Sequence, residues 1–362
     1  MNLEDMKVAL LAGTLDVGGA EQQLYYIVQA LLSRGVRPWV LSLTRGEHWE
    51  GPIRDLGAPV IWVGEQRGIV ARVRRIVHEL KGDRPDVLQS LHFYANPYVA
   101  AVGRLLRIAD FGALRSDVWS EVADTGRVLG PICLRAPRRL VANSRGAIEN
   151  AVKLGIARRR LRFLPNVIDF ARFGSSRDRD REPGAPLGLL TVGRLVPSKR
   201  IDRFLDLTAW LNDQGVEAVA IVAGDGPHRA ELERHAAELG LPASGRVRFL
   251  GQVSDMAGVY SEADLFVMTS EFEGTPNVVI EAMACGLPVV STPVGDVSSL
   301  IESGRTGIIE GDDAGLRSAV LRLARDPLQR RVMGQEARAV VERERSLDRL
   351  GDRLAEVYGC PN

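Results

Sequence analysis

The sequence contains only three cysteines in 362 residues, and their positions exclude two common uses of this residue. Cys133, Cys285 and Cys360 are scattered and show no metal-ligand spacing. A secreted scaffold held together by disulfides is normally a short chain that is dense in cysteine. The sequence therefore predicts neither a disulfide framework nor a zinc site.

Long apolar runs and an excess of one charge are also missing. No uncharged stretch reaches the roughly 18 apolar residues of a membrane-spanning helix, and the first residues lack the basic start and long apolar segment of a signal peptide. The formal net charge is +1 at pH 7, so the global balance does not point to nucleic acid. We expect a cytoplasmic protein without a nucleic-acid partner.

Basic residues are nevertheless concentrated in two short segments, 72–81 and 153–162. A solvated helix face is the default interpretation of both segments. The alternative for 72–81 is peripheral contact with anionic lipid at the inner face of a membrane, because Arg72, Arg75 and Glu79 would follow one side of a helix with net positive charge.

Short apolar segments typical of buried strands alternate with helical segments in two series. The first series is 7–13, 38–43, 58–63, 85–91 and 139–144, and the second is 187–193, 218–224, 246–251, 263–270 and 288–292. This alternation predicts two doubly wound α/β domains that face a central cleft, one within 1–172 and one within 187–345. The polar segment 173–186, which contains Gly and Pro, is the expected linker.

A carboxylate within an apolar helix is the most unusual feature of the second domain. Glu281 has almost no polar neighbours in 277–285, so we expect it to be buried and to need a partner, which a ligand could supply. A solvent-facing glutamate is the alternative. Pro276 suits the first turn of this helix, and Gly286 suits its C-terminal end.

The start of the same helix predicts an anion site. It follows a strand, and ligands of parallel sheets gather beyond the carboxyl ends of strands. The N–H groups of Asn277 and Val278 have no acceptor within the helix and favour a phosphate. Glu273 and Glu281 flank this position, where carboxylates suit the hydroxyls of a sugar and a ribose.

Other predicted strand ends also carry candidate ligand-binding residues. Arg194 and Lys199 suit a pyrophosphate leaving group, whose charge increases as the bond to it breaks. Gly18 and Gly19 would let the backbone approach a ligand closely, although a plain tight turn is the alternative. His92 follows an apolar strand, and here a structural histidine is the alternative.

Together these segments resemble the retaining glycosyltransferases of family 4, which have the GT-B fold. The matching segments are GGAE (18–21), PNVIDFARF (165–173), VGRLVPSKR (192–200), GDGPHRAELE (224–233) and EFEGTPNVVIEAMACGLPVVSTPVG (271–295). The resemblance extends through nearly the whole chain, and the segment 346–362 is similar to the family's closing helix, which crosses back to the first domain.

The resemblance implies transfer of a hexose from a nucleotide-diphosphate sugar, such as a UDP- or GDP-sugar, to a hydroxyl of a glycan, lipid-linked or small-molecule acceptor. It implies retention of configuration without a metal or another cofactor. The implied catalytic residues are His92, Arg194, Lys199 and Glu273. The implied contacts to the donor nucleotide and phosphates are Gly18, Gly19, Gly193, Arg194, Lys199, Asn277, Val278 and Glu281. The implied contacts to the donor sugar are His92, Glu273, Gly274, Thr275 and Pro276.

The chain departs from the family pattern after TPVG. Where the family usually has Gly-Gly followed shortly by Pro-Glu, this chain has residues 296–299, DVSS, so the donor sugar is not identified. A nicotinamide-dependent dehydrogenase is disfavoured, because both Gly-x-Gly-x-x-Gly and an acidic residue after the second strand are missing. A nucleotide-sugar epimerase and a non-catalytic nucleotide-sugar binder of the same fold remain alternatives.

Overall fold

The computed structural model describes residues 2–65, 68–173 and 184–360. Within these residues the chain forms two compact units, each with a parallel sheet of its own. The first unit contains the residues up to Val167 and those from Leu347 on, and the second contains Ile168–Ser346. Most of the segment expected to act as a linker, residues 174–183, lies outside the described residues.

In the first unit, strands and helices alternate along the chain. The strands are β1 (Val8–Ala12), β2 (Trp39–Ser42), β3 (Val60–Trp62), β4 (Val87–Ser90), β5 (Ala109–Leu114), β6 (Arg139–Ala142) and β7 (Leu161–Phe163). The helices are α1 (Gly19–Ser33), α2 (Glu50–Asp55), α3 (Ile69–Leu80), α4 (Asn96–Leu106), α5 (Val118–Asp124), α6 (Leu129–Arg135) and α7 (Arg145–Lys153).

The strands of the first unit pair in parallel in the order β3-β2-β1-β4-β5-β6-β7. Strand β1 is buried at every position, as expected for an apolar strand covered by helices on both faces of the sheet. The strand order reverses direction between β1 and β4. Such a switch point is where open parallel sheets bind ligands, beyond the carboxyl ends of the strands.

The second unit repeats this alternation. Its strands are β8 (Leu187–Val192), β9 (Ala218–Ala223), β10 (Val247–Gly251), β11 (Leu265–Met268), β12 (Val289–Ser291) and β13 (Ile308–Ile309). Its helices are α8 (Phe170–Phe173), α9 (Ile201–Asp213), α10 (Arg229–Glu238), α11 (Met256–Glu262), α12 (Asn277–Ala284), α13 (Val297–Leu300), α14 (Asp313–Arg325) and α15 (Pro327–Arg345). Helix α16 (Leu350–Tyr358) then completes the first unit.

The strands of the second unit also pair in parallel, in the order β10-β9-β8-β11-β12-β13. The switch point of this sheet lies between β8 and β11. The two parallel sheets confirm the predicted pair of Rossmann-like α/β domains.

Helix α12 is the helix predicted around Glu281. Every residue from Val279 to Ala284 is buried, and Gly286 adopts a φ of 72° just after the helix, as is typical of a left-handed C-terminal stop. Pro276 lies one residue before the helix, at the N-cap, and not in the first turn, because its backbone is extended with a ψ of 108°.

Helix α16 belongs to the core of the first unit although it comes last in the chain. Leu350, Leu354 and Val357 are buried in the same apolar cluster as Leu24 and Leu31 of α1. None of the helices that the structure describes is long and apolar enough to cross a membrane.

Candidate functional site

The switch point of the second sheet is formed by two loops that are bonded to each other. One loop leaves β8 and runs to α9, and the other leaves β11 and runs to α12. The N–H of Glu271 donates to the carbonyl of Ser198 at 2.8 Å, and the hydroxyl of Thr269 donates to the carbonyl of Arg200 at 2.7 Å. The residues carried by the two loops are therefore held close together.

Lys199 and Glu273, one from each loop, form an ion pair. The Lys199 Nζ donates to Glu273 Oε1 at 2.6 Å, and the Ser270 hydroxyl donates to the same oxygen at 2.8 Å. The Lys199 and Glu273 side chains are 24% and 11% exposed. The sequence assigns these two residues to the phosphates and to the sugar, and the structure pairs them with each other.

The two arginines near these loops have different surroundings. Arg200 pairs with Asp202 and, at 2.6 Å, with Glu271, and these hydrogen bonds raise the pKa of its guanidinium. Arg194 is exposed, and no hydrogen bond or ion pair of its side chain occurs within residues 2–65, 68–173 and 184–360. Arg200 thus stabilises the loops, and Arg194 is the cation with access to an external anion.

Two glycines let neighbouring loops touch through their backbones. Gly193 and Gly224 have φ values of 157° and 129°. A Cβ atom at Gly224 would lie 1.9 Å from the carbonyl oxygen of Gly193. A Cβ atom at Gly226 would lie 2.4 Å from the carbonyl oxygen of Leu195, so packing explains both glycines of the segment GDGPHRAELE.

Glu281 has a protein partner that the sequence did not reveal. Its carboxylate is buried and accepts a hydrogen bond from the Tyr260 hydroxyl at 2.8 Å. Burial and the adjacent carboxylate raise the pKa of Tyr260 well above its ordinary value, so the hydroxyl stays protonated and donates. Tyr260 lies in α11, where no motif distinguishes it from an ordinary core residue.

The remaining predicted residues of the second unit lie at the start of α12. Gly274, Asn277 and Val278 are partly buried, and Thr275 and Pro276 are buried.

The segment that departs from the family pattern contacts this region. The N–H of Asp296 donates to the carbonyl of Gly274 at 2.9 Å. A Cβ atom at Gly295 would lie 2.1 Å from the same carbonyl oxygen. Asp296 is itself buried. The unusual residues therefore border the predicted sugar-binding segment.

In the first unit, His92 lies at the switch point between β1 and β4. The N–H of Gly13 donates to His92 Nδ1 at 3.0 Å, and Nε2 lies 2.9 Å from Glu21 Oε1. Because Nδ1 accepts a hydrogen bond, the ring proton is on Nε2 and is donated to Glu21. Both ring nitrogens therefore have protein partners, and the ring orientation is fixed.

Glu21 connects His92 with the glycine loop. It is the third residue of α1, and its carboxylate lies against Gly18, where a Cβ atom would be 2.3 Å from Oε2. Gly18 is the N-cap of α1 in extended conformation, and Gly19 is exposed at its first position. Glu21 is part of the matched segment GGAE, but nothing in the segment alone indicated its contact with His92.

A partly buried cation at the end of β5 was also missed. Burial lowers the pKa of Arg115 to about 10, and its guanidinium donates to Asn166 at 3.3 Å. Nearby, burial and the charge of Asp117 raise the pKa of Glu121 to about 8. A positive charge within the first unit thus lies near the carboxyl ends of its strands.

A cavity in the second unit lies at the other edge of its sheet. It measures about 1370 Å³ and is lined at the amino ends of β8, β9, β11 and β12. None of the predicted donor-binding residues lines it. Across the described part of the chain, no group of three or more His, Cys, Asp or Glu side chains could hold a metal ion.

Two family models match consecutive parts of the chain. The model described as Glycosyltransferase Family 4 matches residues 17–172, and the one described as Glycosyl transferases group 1 matches residues 186–326. Together they include both units and both switch points.

Curated relatives carry names of glycosyltransferases. The lipopolysaccharide core biosynthesis glycosyltransferase LpsE of Rhizobium meliloti is 28% identical over 85% of this chain and 86% of its own length. The alpha-D-kanosaminyltransferase of Streptomyces kanamyceticus is 32% identical, but the match covers 52% of this chain and about half, 49%, of that enzyme.

Solved structures confirm the expected GT-B fold. HepE of Anabaena, crystallised in complex with UDP, superposes with a TM-score of 0.85 at 21% identity, over 98% of this chain and 100% of that one.

Proposed function

Because the chain belongs to the group 1, family 4 glycosyltransferases, we propose that it transfers a hexose from a nucleotide-diphosphate sugar to a hydroxyl of an acceptor with retention of configuration. The observation that carries the proposal is the set of loops at the β8/β11 switch point. They bring a lysine, a carboxylate and the start of a helix together within one unit, beside an exposed arginine.

The cations suit the diphosphate of a UDP- or GDP-sugar. Arg194 is exposed, and Lys199 can exchange its bond to Glu273 for a phosphate oxygen. The first N–H groups of α12 add a partial positive charge at Asn277 and Val278. These groups stabilise the negative charge that develops on the leaving diphosphate, which supports transfer without a metal ion.

The carboxylates suit the hydroxyl groups of the donor. When Lys199 turns to the diphosphate, Glu273 becomes available to the hydroxyls of the sugar, next to Gly274, Thr275 and Pro276. Glu281, oriented by the hydroxyl of Tyr260, binds the ribose. The two carboxylates thus recognise different parts of one donor.

The transfer itself exchanges one bond at the anomeric carbon. The bond to the diphosphate oxygen breaks, the acceptor oxygen bonds on the same face of the sugar, and the departing phosphate takes the proton of the acceptor. His92 stabilises the positive charge that develops on the sugar. Both of its ring nitrogens are engaged, whereas its backbone carbonyl accepts one hydrogen bond, from the N–H of Ala95 at 3.0 Å, and keeps a second lone pair, so we assign this role to the carbonyl.

A cytoplasmic location with peripheral membrane contact completes the proposal, because lipid-linked glycans are among the expected acceptors. Helix α3, for which the sequence offered this contact as the alternative to a solvated face, gives it little support. Arg72 donates to the Tyr98 hydroxyl at 3.2 Å, and Arg75 pairs with Glu79 at 2.9 Å. Only one of its three arginines, Arg74, is exposed, and the other two are partly buried.

A thermal-shift screen with UDP-, GDP- and ADP-sugars tests the donor class, because a bound ligand raises the apparent stability. The stabilising donor is then incubated with the protein alone and with candidate acceptors. An epimerase changes the sugar without an acceptor, and a non-catalytic binder leaves the donor intact. Stabilisation by none of these donors would contradict the proposal.

Anomeric NMR tests the stereochemistry. An α-linked product from an α-linked donor is expected, and a β-linked product would refute retention. Full activity in EDTA is expected as well, and a strict requirement for added Mg²⁺ or Mn²⁺ would contradict transfer without a metal.

A further inference from the structure

Helices α5, α6 and α7 form a continuous outer layer on the first unit. Their inner sides share one apolar cluster with β5, β6 and β7, in which Val118, Leu134 and Ile148 are buried. The guanidinium of Arg135 in α6 donates to the carbonyl of Leu154 just after α7, at 3.1 Å. The outer sides of these helices therefore belong to one surface.

Large apolar side chains are exposed on this layer. Trp119 of α5 is 49% exposed, and Val128, at the start of α6, is 71% exposed. Leu129, Ile132 and Val152 are exposed as well. Single exposed apolar residues need no explanation, but a group of them on neighbouring helices indicates a surface that binds a membrane or another protein.

The charge around these side chains is predominantly positive. Residues 117–163, which include all three helices, contain ten arginines and lysines and four acidic residues, Asp117, Glu121, Asp124 and Glu149, although the net charge of the whole chain is only +1. Arg127, Arg145, Lys153 and Arg158 are exposed. The surface thus combines apolar side chains with a strong local excess of positive charge.

An anionic bilayer fits both properties. Apolar side chains can enter the boundary between headgroups and acyl chains, while flanking cations meet anionic headgroups. An acidic polymer in water would neutralise the positive charge but would leave the apolar side chains exposed to water. Helix α3 also exposes Ile69 and Val70, but most of its cations already have partners within the protein.

We propose that the outer surface of α5, α6 and α7, named here the basic apolar face, docks on a bilayer of anionic phospholipid. This assignment rests on the proposed function for the identity of the acceptor, which would be presented at the same membrane. It places the membrane contact on the α5–α7 layer, whereas the sequence offered contact through 72–81 only as the alternative to a solvated helix face.

Vesicle co-sedimentation of the full chain tests the proposal without donor or acceptor. We expect binding to vesicles of equal parts phosphatidylglycerol and phosphatidylcholine, and much weaker binding to phosphatidylcholine alone. Each lysine or arginine near an anionic surface contributes roughly fivefold. The triple variant Arg127→Gln, Lys153→Gln, Arg158→Gln should therefore bind roughly 100-fold more weakly.

A matched triple variant controls for net charge. Arg234, Arg322 and Arg325 are exposed on the second unit, and the same change to Gln removes the same charge. This control is expected to bind like the wild type. Equal losses in both variants, or no preference of the wild type for phosphatidylglycerol, would overturn the proposal.

A second pair of variants tests the apolar component. The double variant Leu129→Gln, Ile132→Gln should abolish the vesicle binding that persists at high salt. The fluorescence of Trp119 is obtained as the difference between the wild type and Trp119→Phe, and its emission should shift to the blue when vesicles are added. An unchanged spectrum would show that this face does not enter the bilayer. Donor-induced stabilisation, measured on the same variants, reports separately on the proposed function.

Discussion

The ion pair between Lys199 and Glu273 leads to a counter-intuitive expectation: loss of a predicted catalytic carboxylate should tighten nucleotide binding. In this structure Lys199 donates to Glu273 at 2.6 Å, and both side chains are largely shielded from water. If a diphosphate recruits Lys199, binding must weaken this contact. The variant Glu273→Gln removes the competing charge before the nucleotide arrives.

The contact sets the size of the effect. A hydrogen bond to a charged group contributes about 1.5–3 kcal/mol, and about 1.4 kcal/mol corresponds to a factor of ten in affinity. We therefore expect Glu273→Gln to bind UDP roughly 10- to 100-fold more tightly than the wild type by titration calorimetry. Transfer of the sugar should decrease at the same time, because the contact to the sugar hydroxyls is lost.

The matched control is Glu271→Gln. Glu271 is two residues away, is exposed and pairs with Arg200, so its loss changes the net charge equally without releasing Lys199. UDP affinity close to that of the wild type is expected for this variant. Weaker UDP binding by Glu273→Gln would refute the competition between the carboxylate and the diphosphate.

The other predictions concern the remaining candidate residues. Glu281→Ala should weaken UDP binding by roughly 1.5–3 kcal/mol. Tyr260→Phe should lower the melting temperature and weaken UDP binding less than Glu281→Ala does. Equal UDP affinity of Glu281→Ala and the wild type would contradict the assignment of Glu281 to the nucleotide site. Arg194→Ala should lower turnover by about 10²-fold or more and UDP affinity much less, because the leaving-group charge is largest in the transition state. Steady-state kinetics measures the turnover and calorimetry the UDP affinity. An equal loss of turnover and of affinity would contradict this role. His92→Ala keeps the backbone carbonyl but removes the two hydrogen bonds of the ring that hold the residue in place, so it should lower turnover by about 10²-fold with UDP affinity unchanged. Glu21→Ala removes one of these bonds and should share this kinetic pattern in weaker form, whereas full turnover of Glu21→Ala would show that the position of the carbonyl does not depend on the bond to Glu21.

The alternation of elements was predictable from apolar periodicity, and the exceptions have local causes. Strand β5 was missed because Asp110 and Gly112 interrupt its apolar run. Asp110 is tolerated there because the N–H of Arg138 donates to its buried carboxylate at 2.6 Å. Strand β7 has only three residues and follows three arginines, so its sequence is too short to show the apolar pattern of a strand.

Motifs placed candidate residues at strand ends but did not reveal their partners. The bonds of Tyr260 to Glu281 and of Glu21 to His92 join residues 21 and 71 positions apart, which no local pattern encodes. The pairing of Lys199 with Glu273 arises because their strands are neighbours at a switch point, although 74 positions separate them. Strand order, which turns sequence distance into contact, is the information that one sequence lacks.

The late position of α16 has a consequence for the order of events during synthesis. The second unit is one uninterrupted segment, and its ends are joined by a hydrogen bond from the N–H of Ile168 to the carbonyl of Arg345 at 2.8 Å. The first unit is started earlier but lacks Leu350, Leu354 and Val357 until the ribosome has passed them. The first unit, whose synthesis begins first, is therefore the last to be completed. Until α16 is made, the apolar surface of α1 that it covers is exposed to chaperones and proteases, while the second unit is already complete.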